Sequence, residues 1–291
     1  MANDVWIADS YAKINLGLHV LERLPTGYHA IETGMCFLEW RDHFEVKQAP
    51  EMRLEMDDEN IPTDDSNLIN KAVETLDRYI GLQHNYLIRV DKRIPAGAGL
   101  GGGSSNAALT LRMLNKIEEL GLTNDELIDL SRDLGADVPF FIKGKTGIAK
   151  GIGHEIEQLD LQPNFWIVTC FPNEQSSTAE AYQNCVPDPD PEFDLKKILT
   201  EEDIDEWQFI LNNDLEKSVF PRINVSGNMK DQMYEFGATY ASMTGSGSAV
   251  YGIFEQDFVA TNAYKGLLEL DFPTNLTRPG FEPDYGIYRK A

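Results

Sequence analysis

Five glycines, at positions 97, 99, 101, 102 and 103, followed at once by Ser104 and Ser105, form the stretch of this sequence best suited to chemistry. Residues without a Cβ let backbone N–H groups turn inward and approach an anion, and the two hydroxyls can reach a phosphate oxygen or a metal-bound water. The alternative is a flexible Gly/Ser linker, which seldom lies between a strand and a helix joined this tightly. Lys13 stands in Ala12-Lys13-Ile14-Asn15-Leu16. Burying an ammonium among such neighbours without a partner is costly, although an outward-facing strand lysine reads the same way. Asp137 precedes Val138-Pro139-Phe140-Phe141, so desolvation and any nearby cation would set its charge state; a turn or cap aspartate has the same appearance. Gly27-Tyr28-His29 closes a turn with a phenol and an imidazole, which can stack on a ring and hydrogen-bond its edge, or simply begin a strand.

The flanking periodicities say what must hold these groups. Tyr86 to Val90 is β-branched and aromatic and predicts a strand; Ala107, Leu111 and Leu114 fall on one face of a helix. The glycines therefore join a strand to a helix N-terminus, which adds unpaired donors and about half a positive charge. Val5 to Ala8 and Ile14 to Leu21 predict two strands, and Gly34 to Trp40 with His43 to Val46 a hairpin turning at Arg41-Asp42. The acidic stretch 51–65 predicts a loop or an edge. Ser66 is placed to cap a helix whose apolar stripe runs from Leu68 to Ile80 and stops at Gly81. Thr123-Asn124-Asp125-Glu126 has the form of a capping box, Phe165 to Phe171 that of a buried strand, Ser176 to Tyr182 a capped helix start, and Ile204 to Phe220 a helix. Met243-Thr244-Gly245-Ser246-Gly247-Ser248 is a second small turn, feeding a strand from Ala249 to Phe254.

Two familiar phosphate loops are excluded. No lysine follows the glycines, as a Walker loop requires. Glu118 and Glu119 lie within the same helical run and not at the end of a second strand, as a dinucleotide fold would need. At 291 residues the chain is long enough for two domains, and 42% hydrophobic with 25% charged residues is a globular composition. A net charge of −23 with no basic run argues against nucleic acid or an anionic membrane as partner. Cys36, Cys170 and Cys185 form neither a disulfide framework nor a zinc pattern, and no metal-ligating residues are assigned. The first 24 residues lack the apolar run of a signal peptide, so a cytoplasmic protein is expected.

Taken in order, Ala12-Lys13-Ile14-Asn15-Leu16, Gly27-Tyr28-His29, Gly99 to Ala108, Leu134-Gly135-Ala136-Asp137-Val138-Pro139 and Met243-Thr244-Gly245-Ser246-Gly247 resemble the GHMP kinases. The tripled glycine and the Gly-Tyr-His turn point to the branch that acts on a cytidine diphosphate-linked methylerythritol. Thr26, where Asp is expected, and Tyr11, where Pro is common, depart from its pattern. The resemblance implies an α+β, two-domain fold, with a first domain (1–153) like the second domain of ribosomal protein S5 and a ferredoxin-like second domain (154–291). It implies ATP with Mg²⁺, the triphosphate lying along Pro95, Ala96, Gly97, Ala98, Gly99, Leu100, Gly101, Gly102, Gly103, Ser104 and Ser105. Asn67, Leu68 and Lys92 would stand near the adenosine. Asp137 would accept the proton of the substrate's 2-hydroxyl, with Lys13 keeping it ionised. Tyr28, His29 and Tyr182 would hold the cytosine, and Asn15 and Thr178 the methylerythritol. A small-molecule partner and a monomer or homodimer are expected. Within the same family a mevalonate, homoserine or sugar kinase is the nearest rival, and a catalytically silent nucleotide-binding regulator the next.

Overall fold

In the computed structural model, which describes residues 4–192 and 194–290, the expected pair of N-terminal strands is one strand, β1 (Val5–Arg23). It runs antiparallel to β2 (His29–Ala49), with shifts of register between Tyr11 and Lys13, Leu16 and Leu18, and Val20 and Glu22. Between the first two shifts Lys13 to Leu16 pair in unbroken register with Phe37 to Gly34, and all four are buried because both faces of β1 are covered. The hairpin expected at Arg41-Asp42 does not form: these residues pair in register with Tyr11 and Ser10, and β2 continues through them. Asp42 is held there because its carboxylate accepts from the backbone N–H groups of Arg93 and Ile94, each at 2.8 Å, and from Lys92 Nζ at 2.5 Å. A turn-favouring residue has thus been used to anchor the entrance of the glycine loop.

β3 (Arg53–Met56) lies at the edge of the sheet, parallel to β4 (Asn85–Asp91), and α1 (Leu68–Ile80) connects them. Asn67, not Ser66, caps α1, its side chain accepting from the Ile69 N–H; Ser66 is turned onto Asp64 instead. Then follow α2 (Gly102–Ile117), α3 (Asn124–Leu130) with the expected Thr123–Glu126 capping box, α4 (Val138–Lys143), β5 (Gly147–Lys150) and β6 (Glu155–Gln158). The first sheet has the order β11-β1-β2-β4-β3, with β5 and β6 added through β2, where β11 (Tyr288–Arg289) is the chain's return at its end. Both β6 and β11 belong to this first sheet.

The second layer comprises β7 (Trp166–Cys170), α5 (Thr178–Gln183), α6 (Leu195–Glu201), α7 (Ile204–Ile210), α8 (Glu216–Val219), α9 (Asn224–Glu235), β8 (Tyr240–Met243), β9 (Val250–Phe254), α10 (Asp257–Glu269) and β10 (Thr274–Thr277). Its four strands are ordered β10-β7-β9-β8, all antiparallel, which is fourth, first, third and second in chain order, the ferredoxin-like arrangement. The single helix expected over 204–220 is broken between α7 and α8. Asn213 accepts from the Leu215 N–H and donates to the carbonyls of Met243 and Gly245, while the Asp214 N–H donates to Leu18, so side-chain and strand bonds replace the helical ones. Ala12, Ile14 and Leu16 of β1 pack with Ile167, Tyr251 and Ile253 of the second sheet, whereas Tyr11 and Ala8 join the core beneath α1 and α2. β1 is therefore the shared wall of both layers. Among the described residues no helix is long and apolar enough to cross a membrane.

The Asp42–Lys92 pair gives a direct test of this scaffold. Both side chains are almost wholly buried, so Asp42→Ala leaves an unpaired ammonium and two unsatisfied N–H groups, and removing one partner of a buried pair costs about 3–5 kcal/mol. Chemical unfolding is expected to show that loss, with Asp42→Asn, which can still accept from the two N–H groups, losing less.

Candidate active site

The two layers meet at a cleft of about 800 Å³. On its β1 wall, just after the bulge that follows Tyr11, Lys13 faces the cleft with its side chain 4% exposed. Its Nζ lies 3.5 Å from Asp137 Oδ2 and 2.5 Å from Asn15 Oδ1. Asp137 stands just before α4, which Pro139 starts and which Phe140 and Phe141 bury against Phe37. The carboxylate is about one-third exposed and faces the cleft, so this pair joins a buried cation to an accessible acceptor. Asn15 is locked in turn: its amide donates to Thr33 Oγ1 at 2.9 Å, its N–H to Thr244 Oγ1 at 3.0 Å, and its carbonyl accepts from Tyr251 at 2.8 Å. With both ends of its amide occupied inside the protein, Asn15 serves first to orient Lys13.

The glycine loop forms the next wall. Gly99 has φ +79°, and a Cβ there would lie 2.2 Å from the carbonyl oxygen of Thr244. Gly101, at φ +72°, is the N-cap of α2 and offers no side-chain cap, so the first N–H groups of that helix are left for a ligand. Gly97, Gly99, Gly101 and Ser104 line the cleft. Ala98, Leu100, Gly102 and Ser105 are buried below it, Pro95 is half-buried, and Ala96 and Gly103 are exposed. The Leu100 carbonyl accepts from the Lys13 N–H at 3.0 Å, which ties the loop to β1. Asn67, Leu68 and Lys92 are not on the cleft wall. Leu68 and Lys92 stand beside the first turn of α2, within 3.7 and 3.2 Å of the points where Cβ atoms on Gly103 and Gly102 would be. The Asn67 side chain caps α1, and Lys92 is committed to Asp42.

At the other end, His29 and Tyr182 stack with ring centroids 5.2 Å apart and planes inclined by 26°. Tyr28 is 64% exposed at the rim. Burial, and then the charge of Arg23, hold the His29 imidazole below its ordinary range, so at neutral pH it is an uncharged donor and acceptor. Burial, reinforced by the negative charge of Asp137, pushes the Tyr182 phenol up and keeps it protonated. Thr178, at the start of α5, shares a 2.8 Å hydrogen bond with Ser246. Cys36, beneath Lys13, has its thiol pushed up to about 12 by burial and is no nucleophile.

The second glycine turn, 244–248, looks like an ordinary loop in isolation. In the fold Thr244 is fully buried and its hydroxyl links Asn15 to the Gly99 carbonyl, so it clamps β1 to the glycine loop. Gly245, Ser246, Gly247, Ser176, Gln183 and Arg23 also line the cleft. None was assigned to the site from sequence, although 245–247 lie in a motif noted there.

Residues 67–145 match the GHMP kinases N terminal domain, and residues 195–270 the GHMP kinases C terminal domain. A 4-diphosphocytidyl-2-C-methyl-D-erythritol kinase from Chlorobium phaeobacteroides (strain BS1) is 41% identical over 278 residues, covering 94% of this chain and 96% of that protein. The chain belongs to the GHMP kinases. Like them it is an ATP-dependent phosphotransferase with an N-terminal and a C-terminal domain. A crystal structure of 4-(cytidine 5'-diphospho)-2C-methyl-D-erythritol kinase superposes with a TM-score of 0.81 at 30% identity, covering 94% of this chain and 99% of that one. The homoserine kinase of Cytophaga hutchinsonii, at 13% identity and a TM-score of 0.68 over 98% and 97% of the two chains, shares the GHMP kinase fold alone.

Proposed function

We propose that this GHMP kinase transfers the γ-phosphoryl group of ATP to the 2-hydroxyl of 4-diphosphocytidyl-2-C-methyl-D-erythritol, a step of the non-mevalonate isoprenoid pathway, in the cytoplasm. The observation that carries the reading is that one cleft has an ammonium–carboxylate pair beside a glycine-lined helix N-terminus and, at its far end, a pair of stacked rings suited to a pyrimidine. The 41% identity to a kinase of that name supports the choice of substrate over mevalonate or homoserine. A silent regulator would have no need of the Lys13–Asp137 pair.

The chemistry follows from the positions. The N–H groups of the loop and of the first turn of α2 receive the triphosphate. Asp137 accepts the proton of the substrate hydroxyl as its oxygen bonds to the γ-phosphorus, and the bond to the β-phosphate oxygen breaks to release ADP. Lys13, 3.5 Å away, sets a positive charge beside the accepting carboxylate and offsets charge on the phosphoryl group. Mg²⁺ takes most of its ligands from water and phosphate oxygens, so a single hydroxyl suffices from the protein, and that of Ser104, on the cleft wall in the first turn of α2, fits as its contact. When bound it would neutralise charge on the β- and γ-oxygens. Tyr28 and the His29–Tyr182 pair receive the cytosine, and Thr178 with Asn15 the polyol.

The test is to supply Mg-ATP with a panel of alcohols comprising the cytidyl substrate, mevalonate, homoserine and a sugar. ADP is expected with the cytidyl compound; release with another alcohol and not with this one would overturn the reading.

A further inference from the structure

Among the described residues that line the cleft, two carry permanent positive charge: Lys13 and Arg23. Lys13 is committed to Asp137 and Asn15 and is buried. Arg23 is different. It ends β1, is exposed, and pairs by backbone register with His29. Nine other arginines make ion pairs among the described residues, but Arg23 makes none. In a chain of net charge −23, an arginine facing a cleft with no carboxylate on it is a vacant counter-charge. Its effect on the His29 imidazole places that charge at the ring-pair end.

We propose that Arg23 binds the diphosphate of the cytidyl substrate, so that the enzyme selects an alcohol carried on a nucleoside diphosphate over one without phosphates. This rests on the cytidyl reading of the cleft given above. The planar guanidinium fork meets phosphate oxygens in pairs, which a lysine cannot do. A diphosphate entering so acidic a molecule needs a cation near its path, and Lys13 is already bound to the catalytic carboxylate.

The test measures binding of CDP and of cytidine to the whole enzyme, with the nucleotide site filled by a non-hydrolysable ATP analogue, in wild type, Arg23→Gln and Arg23→Lys. Wild type is expected to prefer CDP to cytidine by about 10- to 100-fold, the range of a charge-assisted contact. Arg23→Gln brings that ratio close to one, leaves cytidine binding and the KM for ATP unchanged, and raises the KM for the cytidyl substrate with kcat intact. Arg23→Lys keeps part of the preference. A ratio that survives Arg23→Gln overturns the proposal. So does equal weakening of cytidine and CDP, which would make Arg23 a wall of the ring pocket, or a KM for ATP that rises as much as that for the cytidyl substrate. If wild type fails to turn over the cytidyl compound, the substrate reading itself falls, a result distinct from normal turnover with an unaltered ratio.

Discussion

Asp137→Asn is expected to lower kcat by about 10²- to 10⁴-fold, the contribution of a positioned general base, and to leave the KM for ATP nearly unchanged. An amide of the same shape cannot take the hydroxyl proton, yet it fills the same space before α4. The packing of Phe140 and Phe141 against Phe37 is untouched. Because the carboxylate is about one-third exposed and the Asn15 amide oxygen stays 2.5 Å from Lys13 Nζ, the ammonium keeps a partner and the fold should hold. A coupled ADP assay with saturating ATP reads the effect, and thermal unfolding shows whether the variant is folded. Full turnover by this variant would end the assignment of Asp137 as the base.

Gly99→Ala should be nearly as damaging by a different route. The new Cβ would meet the Thr244 carbonyl oxygen, a backbone atom, at 2.2 Å, at a φ of +79° that residues with a side chain rarely adopt. Held residues in that region cost about 1–3 kcal/mol. The loop must therefore back away from the 244–248 turn, which also loosens Thr244 from Asn15 and so Lys13. A displacement of this kind at a reacting centre can cost about 10²-fold in rate. We expect kcat/KM for ATP to fall by that order and the melting temperature to drop. Gly227→Ala, in α9 with nothing nearer than Phe220 at 3.5 Å, serves as the control that leaves both kinetics and fold intact. Equal behaviour of the two variants would remove the close approach of Gly99 from the mechanism.

The local elements, and the chemistry they offer, were legible in the order of the residues. Periodicity placed α1, the strand at Trp166–Cys170 and the helix after the five glycines, and a capping box placed the helix after Thr123, because those signals are local and the fold leaves them unaltered; the cap of α1 moved from Ser66 to Asn67. The motifs likewise marked Lys13, Asp137, Tyr28 and His29 as candidates. What lies opposite what was settled by the folding of the chain. β1 and β2 run unbroken because Tyr11 and Ser10 pair with Arg41 and Asp42 and because the Asp42 carboxylate is satisfied from another loop. The helix that ends at Ile210 is not resumed at Asn213 because a turn some thirty residues later takes that side chain. Thr244 becomes a clamp, and Arg23 an unpaired charge, through contacts with residues far away in sequence or through the want of them. Hydrogen-bond partners and counter-charges are set by distance in space, and a linear pattern carries no measure of that distance until the two sheets close over β1.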